Sequence, residues 1–205
     1  MYQCTRPECG FRFPAEADHP TASRCPQCGA PTLGSSTFLA AAQPFAASPQ
    51  VSVHLEALLD NLRSAWNVGS IFRIADGAGV KRLHLCGTTP PGDHPRIPKT
   101  ALGAEHTIGW RYHLNGLYAA RALLEEGYRL WALETTVGAE SLFDLLPVNT
   151  PERLALVLGN ERTGIDPDIL ALCDRHLYLP MLGIKESLNV AVAFGIAAYA
   201  LLHTR

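Results

Sequence analysis

Two polar side chains, Ser187 and Asn189, stand at the start of a nearly all-apolar stretch that runs to Leu202. The stretch predicts a buried helix, which has no need of polar residues at its beginning. Ser187 occupies the expected N-cap position and Asn189 falls in the first turn, where backbone N–H groups lack partners within the helix. Both side chains are therefore placed to hold a polar ligand at the helix N-terminus, or only to cap the helix.

Four cysteines near the beginning of the chain offer metal chemistry. Cys4 and Cys9 form one pair, Cys25 and Cys28 form a second, and each pair ends in a Cys-Gly step. This spacing is typical of a zinc ribbon, where the metal supplies most of the folding free energy of a segment too small for an apolar core. Two disulfides in a secreted module are the alternative. A zinc ion with four cysteine ligands has no open position, so we expect it to be structural.

The bulk composition describes a globular chain. Its 205 residues are 47% hydrophobic and 18% charged, enough for one sizeable core and a small appendage. No apolar run reaches the roughly 18 to 20 residues that span a bilayer, and the start of the chain does not resemble a signal peptide, so we expect a cytoplasmic protein. A net charge of -2 is weak for a nucleic-acid-binding protein, although a local basic patch is compatible with it. The residues that could supply such a patch are Arg63, Arg73, Lys81, Arg82, Lys99, Arg111 and Arg162.

Strand-like and helical patterns alternate from Val51 onward. This alternation predicts an α/β domain, in which helices cover both faces of a parallel sheet. The expected domains are a zinc ribbon at 1–32, a linker at 33–50 and the α/β domain at 51–205. The expected strands are 51–58, 83–86, 129–133, 154–158 and 176–179, and the expected helices are 67–78, 114–126, 166–172 and 187–202.

Two glycine-containing loops leave strand ends at what should be the same edge of this sheet. One runs from Gly159 to Gly164, and the other begins at Pro180 and includes Gly183. Ligands of open parallel sheets bind beyond the carboxyl ends of the strands, so we expect a binding site between these loops. No Gly-x-Gly-x-x-Gly follows the first strand and no Gly-Lys-Ser/Thr is present, which disfavours a dinucleotide-binding fold and a P-loop.

Three short motifs succeed one another in the α/β part. They are Asn67-x-Gly69-x-x-x-Arg73, then Leu158-Gly159-Asn160-Glu161-x-x-Gly164, then Pro180-Met181 followed by Ser187-Leu188-Asn189-Val190. In order and spacing they resemble the motifs of the SpoU/TrmH class of SPOUT RNA ribose methyltransferases. The resemblance covers about residues 51–205 and leaves the cysteine-rich segment outside.

This resemblance implies a SPOUT fold with a C-terminal trefoil knot, and a homodimer in which each active site borrows from the partner. It also implies that S-adenosylmethionine is bound in a bent shape by the loops of the knot. Gly159, Leu179 and Leu188 match positions that line the family's cofactor pocket, and Leu179 stands where the family more often has isoleucine. The neighbouring residues Leu158, Gly164, Met181 and Gly183 are assigned to the same pocket.

The implied catalytic residues are Arg73, Asn67, Glu161, Ser187 and Asn189. Arg73 is the family's candidate for proton removal from a ribose hydroxyl. Because arginine remains protonated in almost any setting, we favour electrostatic stabilisation of the developing alkoxide. Asn67 is expected to cap the helix that presents Arg73, Glu161 and Asn189 to orient Arg73 or the ribose, and Ser187 to hold the loop closed.

The resemblance therefore implies transfer of a methyl group from S-adenosylmethionine to a ribose 2′-OH of tRNA or rRNA. Two alternatives stay open. One is a SPOUT enzyme that methylates a base nitrogen, and the other is a zinc-ribbon RNA-binding or assembly protein that retains the fold without turnover. The sequence does not identify the RNA or the nucleotide, because the surfaces that select an RNA target carry no simple residue code.

Overall fold

The computed structural model of the chain describes residues 1–34, 53–147 and 150–203. The chain divides into two compact units, Met1–Ser48 and Pro49–Arg205. The predicted linker at 33–50 lies outside the described residues, apart from residues 33 and 34. No helix in the described part of the chain is both long enough and apolar enough to cross a membrane.

The smaller unit contains a three-stranded antiparallel sheet in the order β2-β1-β3. Strand β3 extends two residues beyond the predicted end of the ribbon at residue 32. The buried apolar side chains described in this unit are Cys4, Phe13 and Cys25, which is too small a core to stabilise a fold. The strands are β1 (Tyr2–Cys4), β2 (Arg12–Phe13) and β3 (Thr32–Gly34), and a single 3-10 turn covers Pro20–Ala22.

The larger unit is built on a seven-stranded sheet in the order β6-β5-β4-β9-β7-β10-β8, and all its described strand pairs are parallel. This confirms the predicted α/β class. Strands β9 and β10 each lie between two strands that precede them in the chain. The strands are β4 (His54–Asp60), β5 (Arg82–Cys86), β6 (Gly109–His113), β7 (Arg129–Leu133), β8 (Glu140–Ser141), β9 (Arg153–Leu158) and β10 (Arg175–Tyr178).

Helices cover both faces of this sheet, as predicted. Helices α1, α2 and α5 contribute buried side chains to one apolar core, and α3 and α4 contribute to a second core on the opposite face. Strand β4 serves both cores, since Leu55, Ala57 and Leu59 belong to the first and Leu58 to the second. The helices are α1 (Ala65–Ala78), α2 (Pro98–Ala101), α3 (Gly116–Glu125), α4 (Pro167–Leu170) and α5 (Val190–His203).

Two strands, β6 and β8, have no counterpart in the predicted set, while α2 and a 3-10 turn at Ala104–His106 overlap the segment from Lys99 to His106, whose residues favour a short exposed helix. Strand β6 is an edge strand whose residues are mostly exposed, so it lacks the apolar run that identifies the central strands. Helix α2 has four residues and β8 has two, which is too short for either to show a period.

A buried carboxylate, Glu56, lies on β4 and faces the second core. Its side chain is 2% exposed. It accepts hydrogen bonds from the Tyr128 hydroxyl (2.7 Å) and pairs with His84 Nε2 (2.7 Å) and His54 Nε2 (3.1 Å). Burial alone would raise the pKa of Glu56, but these hydrogen bonds lower it to about 2.

Candidate active site

A cavity of about 790 Å³ opens where the carboxyl ends of β7, β9 and β10 meet the beginnings of α1 and α5. The loops that begin at Gly159 and Pro180 follow β9 and β10, and both loops contribute residues to the wall of the cavity. This is the edge of the sheet at which the sequence predicted a site. The predicted residues that line the cavity are Asn67, Leu158, Gly159, Glu161, Gly164, Leu179, Ser187, Leu188 and Asn189.

Glu161 is held by the segment that starts α1. Its carboxylate accepts hydrogen bonds from the backbone N–H of Arg63 (2.9 Å) and of Ser64 (3.3 Å), and from Nδ2 of Asn67 (2.9 Å). Partial burial would raise the pKa of Glu161, but these bonds outweigh burial and the pKa lies below its usual value. Glu161 is therefore an ionised acceptor whose bonds are directed at the protein, a group suited to positioning rather than to proton removal.

Asn67 does not cap α1, and that prediction was wrong. The helix begins at Ala65 because the Ser64 side chain accepts the N–H of Asn67 (3.3 Å), which places Asn67 in the first turn. The Asn67 side-chain amide is free to connect two loops. Its Nδ2 donates to Glu161 and its Oδ1 accepts from Nδ2 of Asn189 (3.0 Å).

Asn189, rather than Ser187, caps α5. The helix begins at Val190, and Asn189 Oδ1 accepts hydrogen bonds from the N–H groups of Ala191 (3.0 Å) and Val192 (3.4 Å). The predicted start at Ser187 was therefore two residues too early for the cap. Ser187 lies in the exposed segment before the helix, where it lines the cavity.

The residues Glu161, Asn67 and Asn189 thus form a continuous hydrogen-bonded chain, which we call the amide relay. It joins the loop after β9, the first turn of α1 and the N-terminus of α5. Each side-chain amide in the relay has one orientation that satisfies both of its neighbours. One residue from each of the three sequence motifs takes part.

The loop between Asn160 and Gly164 closes on itself through two backbone hydrogen bonds of 3.0 and 2.9 Å between these residues. A side chain at Gly159 would overlap the backbone of Gly164 and Ile165, so the tight turn requires glycine there. The Asn160 side chain donates to the backbone carbonyl of Asn61 (2.6 Å), which ties the loop to the end of β4.

Arg73 is separated from the other predicted catalytic residues. Arg73 follows Asn67 by six positions, or about 600° of helical rotation, so the two side chains leave α1 on different sides. Arg73 is exposed and does not line the cavity, and its side chain makes no hydrogen bond or ion pair with other residues in the described ranges. Met181 and Gly183, predicted for the cofactor pocket, also lie outside the cavity lining.

Two acidic residues, Glu134 at the cavity and Asp60 at the end of β4, escaped the sequence analysis. Glu134 lines the cavity, and its carboxylate accepts the N–H groups of Thr135 (3.2 Å) and Ile165 (3.3 Å). Asp60 is buried at the end of β4, where its carboxylate accepts from the Asn61 side chain (2.8 Å) and the Asp166 N–H (3.0 Å). Because Glu134 directly follows a predicted strand, the strand-end rule would have found it.

The four ribbon cysteines meet at one point. All four Sγ atoms lie within 4.8 Å of one another, with 3.5 Å between Cys4 and Cys28 and 3.8 Å between Cys9 and Cys25. A tetrahedral zinc ion with Zn–S bonds of about 2.3 Å separates its sulfurs by about 3.8 Å. All four are free thiols, so the structure contradicts the two-disulfide alternative and fits a four-thiolate metal site.

Comparison with known proteins places these features in a family. A tRNA (guanosine(18)-2′-O)-methyltransferase of Thermus thermophilus is 32% identical over 145 residues, which cover 71% of this chain and 72% of that protein. A 23S rRNA (guanosine-2′-O-)-methyltransferase of Neisseria meningitidis is 32% identical over 139 residues, which cover 68% of this chain and 54% of that protein.

The fold is shared with a solved structure, an AdoMet-bound rRNA methyltransferase from Sinorhizobium meliloti. The TM-score is 0.67 at 24% identity, and the match covers 75% of this chain and 57% of the other. The model of the SpoU rRNA Methylase family matches residues 54–199, which include all three motifs and exclude the cysteine cluster. With most of its larger unit matched in this way, the chain belongs to the SpoU rRNA Methylase family.

Proposed function

We propose that this protein is an RNA 2′-O-methyltransferase that transfers a methyl group from S-adenosylmethionine to a ribose of tRNA or rRNA. The observation that carries the proposal is the amide relay, because it draws the three family motifs around one cavity. The Thermus and Neisseria relatives are named for this reaction on tRNA and on 23S rRNA.

The cavity suits S-adenosylmethionine in size and in chemistry. Its volume of about 790 Å³ falls in the range of small-molecule sites. Leu158, Leu179 and Leu188 offer apolar walls for an adenine ring, and the carboxylates of Glu134 and Glu186 offer partners for a cationic ligand or for hydroxyl groups. The bound cofactor would supply a methyl group on a sulfonium, which is already a good leaving group.

The chain's own residues must then align a ribose hydroxyl and stabilise it as it loses its proton. A ribose 2′-OH is a weak nucleophile at neutral pH, so alignment and charge stabilisation carry most of the catalysis. Glu161 contributes through the amide relay, which holds the start of α1 and the N-terminus of α5 in place. Ser187 lines the cavity with its hydroxyl, where it serves to bind the substrate or to hold the loop.

Arg73 is assigned to the stabilisation of the alkoxide in a partner's site. Its distance from its own cavity supports a homodimer in which α1 of one protomer completes the site of the other. Val192 and Tyr199 support a contact through this side of the molecule, since they leave half-exposed apolar surface on α5, the helix that packs against α1.

Three further properties belong to the proposal. Strands β9 and β10 each lie between earlier strands, which supports a knotted chain like that of the family. The cysteine geometry supports one structural zinc ion in the smaller unit. The unpaired thiols support a cytoplasmic location, because reducing compartments keep cysteines free.

The test is methyl transfer from S-adenosylmethionine labelled in its methyl group to total RNA from cells that lack the protein. A 2′-O-methyl group removes the hydroxyl that alkali needs to cleave the next phosphodiester bond. We therefore expect the label in alkali-resistant dinucleotides. Label in mononucleotides would instead identify a base methyltransferase, and cofactor binding without any transfer would identify a protein that does not turn over.

A further inference from the structure

Trp66 is an exposed aromatic side chain beside the candidate active site. It lies on α1 directly before Asn67 of the amide relay and is 51% exposed. A large aromatic ring left in water at this position is unusual, because such rings contribute most when they are covered. Trp131 is 4% exposed and Trp110 is packed against the apolar core, so Trp66 is the most accessible of the three tryptophans in the chain.

The position of Trp66 is fixed by contacts with α2. The Thr100 hydroxyl donates to the Trp66 backbone carbonyl (3.0 Å), and a side chain at Gly69 would overlap Thr100 and the Ile97 carbonyl. Lys99 Nζ lies 6.0 Å from the centroid of the indole ring. The aromatic ring and a cation are therefore held together at the surface.

Trp66 shares a side of α1 with Arg73. Arg73 follows Trp66 by seven positions, which correspond to about 700° of rotation, nearly two full turns, and to about 10 Å along the helix axis. Both side chains are exposed. Trp66 therefore lies on the side of α1 that carries Arg73, but at the end of the helix next to the cavity, with Lys99 of α2 beside it.

Several basic residues near the cavity have no carboxylate partner. Where strands begin, Arg82, Arg129 and Arg175 each pair with a carboxylate, at 3.9, 2.7 and 3.1 Å, although Arg153 at the start of β9 does not. Around the cavity and along α1, four cations form no ion pair with any residue that the structure describes. They are Arg63, Arg73, Lys99 and Arg162. Unpaired cations in one region attract phosphate groups.

We propose that Trp66 and Lys99 form a binding surface for an unpaired RNA nucleotide, whose base stacks on the indole ring while an adjacent phosphate pairs with Lys99. The occupant is single-stranded RNA because bases within a duplex expose no face for stacking. This proposal rests on the proposed function, since it supplies the surface that presents RNA to the cavity. If a second copy of the chain covered this surface instead, it would bury the Trp66 indole together with the charged side chain of Lys99.

The test measures binding of two fluorescently labelled ten-nucleotide RNAs to the full chain by anisotropy. One is oligoadenylate and the other has the same backbone with abasic riboses. We expect Trp66→Ala to weaken oligoadenylate binding by about tenfold and Trp66→Phe to weaken it little, because phenylalanine also stacks. Binding of the abasic RNA should not change. Tyr118→Ala is the matched control: this exposed aromatic lies on α3, on the opposite face of the sheet, and its removal should change neither.

Lys99→Gln should weaken both RNAs and reduce the slope of log affinity against log salt by about 0.7, the value for one phosphate on a single strand. Three results would overturn the proposal. They are an equal loss of affinity for both RNAs in Trp66→Ala, no loss of affinity in this variant, and no binding of oligoadenylate by the unchanged protein. A shift in oligomeric state with unchanged RNA affinity would assign Trp66 to a contact between copies. Calorimetric affinity for S-adenosylmethionine, measured in parallel, tests the proposed function separately, because it does not depend on Trp66.

Discussion

Asn189 Nδ2 donates a hydrogen bond of 3.0 Å to Oδ1 of Asn67, although 122 residues separate the two in sequence. The same Asn189 side chain caps α5, and the same Asn67 side chain donates to Glu161. A change to one of these amides therefore acts at once on the loop after β9, the first turn of α1 and the N-terminus of α5.

The Asn189→Asp variant tests the hydrogen bond to Asn67 separately from the capping of α5, because it keeps the cap and removes the donor. Aspartate caps a helix as well as asparagine does, so the free energy of unfolding should change by less than about 0.5 kcal/mol. The aspartate side chain cannot donate a hydrogen bond to Asn67. If the Asn67 side-chain amide rotated by 180° to compensate, its oxygen would face the Glu161 carboxylate. We expect methyl transfer to fall at least about tenfold, because the starts of α1 and α5 are then no longer held in register and a small misplacement of reacting groups is costly. In contrast, Asn189→Ala should also lose about 1 kcal/mol of stability in urea titration. Full activity of Asn189→Asp would contradict a role for the relay.

Glu161→Gln tests positioning against proton removal. Each of the three groups that face this carboxylate is an N–H donor, so the NH₂ group of glutamine would meet one of them. We expect a slower transfer with an unchanged shape of the pH–rate profile. If Glu161 were the general base, the acidic limb of that profile would disappear in the variant.

Arg73→Ala should abolish transfer and leave calorimetric affinity for S-adenosylmethionine nearly unchanged, because Arg73 does not line the cavity of its own chain. Arg73→Lys should retain part of the activity that Arg73→Ala loses, since the lysine ammonium can also stabilise an alkoxide. Mixing Arg73→Ala and Glu161→Gln protomers should restore activity if sites are shared, because one of the two sites in a mixed dimer is then complete. No restoration, in protomers shown to exchange, would place Arg73 in its own site.

Glu56 should govern acid stability. Its pKa in the folded protein is about 2, against an ordinary value of 4.5. A lowered carboxyl pKa stabilises the fold above the ordinary value, and the contribution is lost as the pH falls from about 4.5 to about 2. The shift corresponds to on the order of 3 kcal/mol. Urea titrations should show a steep loss of stability over this pH range, and Glu56→Gln should flatten it while lowering stability at pH 7.

The smaller unit should contain about one zinc ion per chain by elemental analysis. Cys25→Ser should reduce the zinc content, because it removes one of the four converging thiols. The control, Cys173→Ser, changes a cysteine of the larger unit and should retain the metal. Affinity for S-adenosylmethionine should be the same in both variants, since every residue that lines the cavity belongs to the larger unit. Zinc retained by Cys25→Ser would contradict the four-thiolate site.

Central strands could be predicted because burial on both faces leaves a direct mark on the sequence. Strand β7 was predicted at the observed residues, and β9 begins one residue earlier than expected. The edge strand β6 carries no such mark. Helix starts were harder to predict, since Ser64 and Asn189 cap their helices through a single side chain each. A serine or asparagine at a neighbouring position fits the sequence pattern equally well.

The candidate site was predictable as a set of loops but not as a set of contacts. The three motifs place Asn67, Glu161 and Asn189 at one cavity, because each lies at or beside the end of an element at one edge of the sheet. They also grouped Arg73 with these residues, and helical rotation carries that side chain away. Trp66 gave no signal in the sequence, because its exposure depends on how α2 packs beside α1.

The insertion of β9 between β4 and β7 sets an order of assembly. β4 is synthesised about a hundred residues before β9, yet one of its long edges stays unpaired until β9 arrives. Pairing over such sequence separations is slow, because the chain loses loop entropy before it gains contacts. The amide relay needs the N-terminus of α5, which is the last helix in the described part of the chain. A ligand that binds the cavity should therefore find it only in chains that have completed folding, and should hold them in that state.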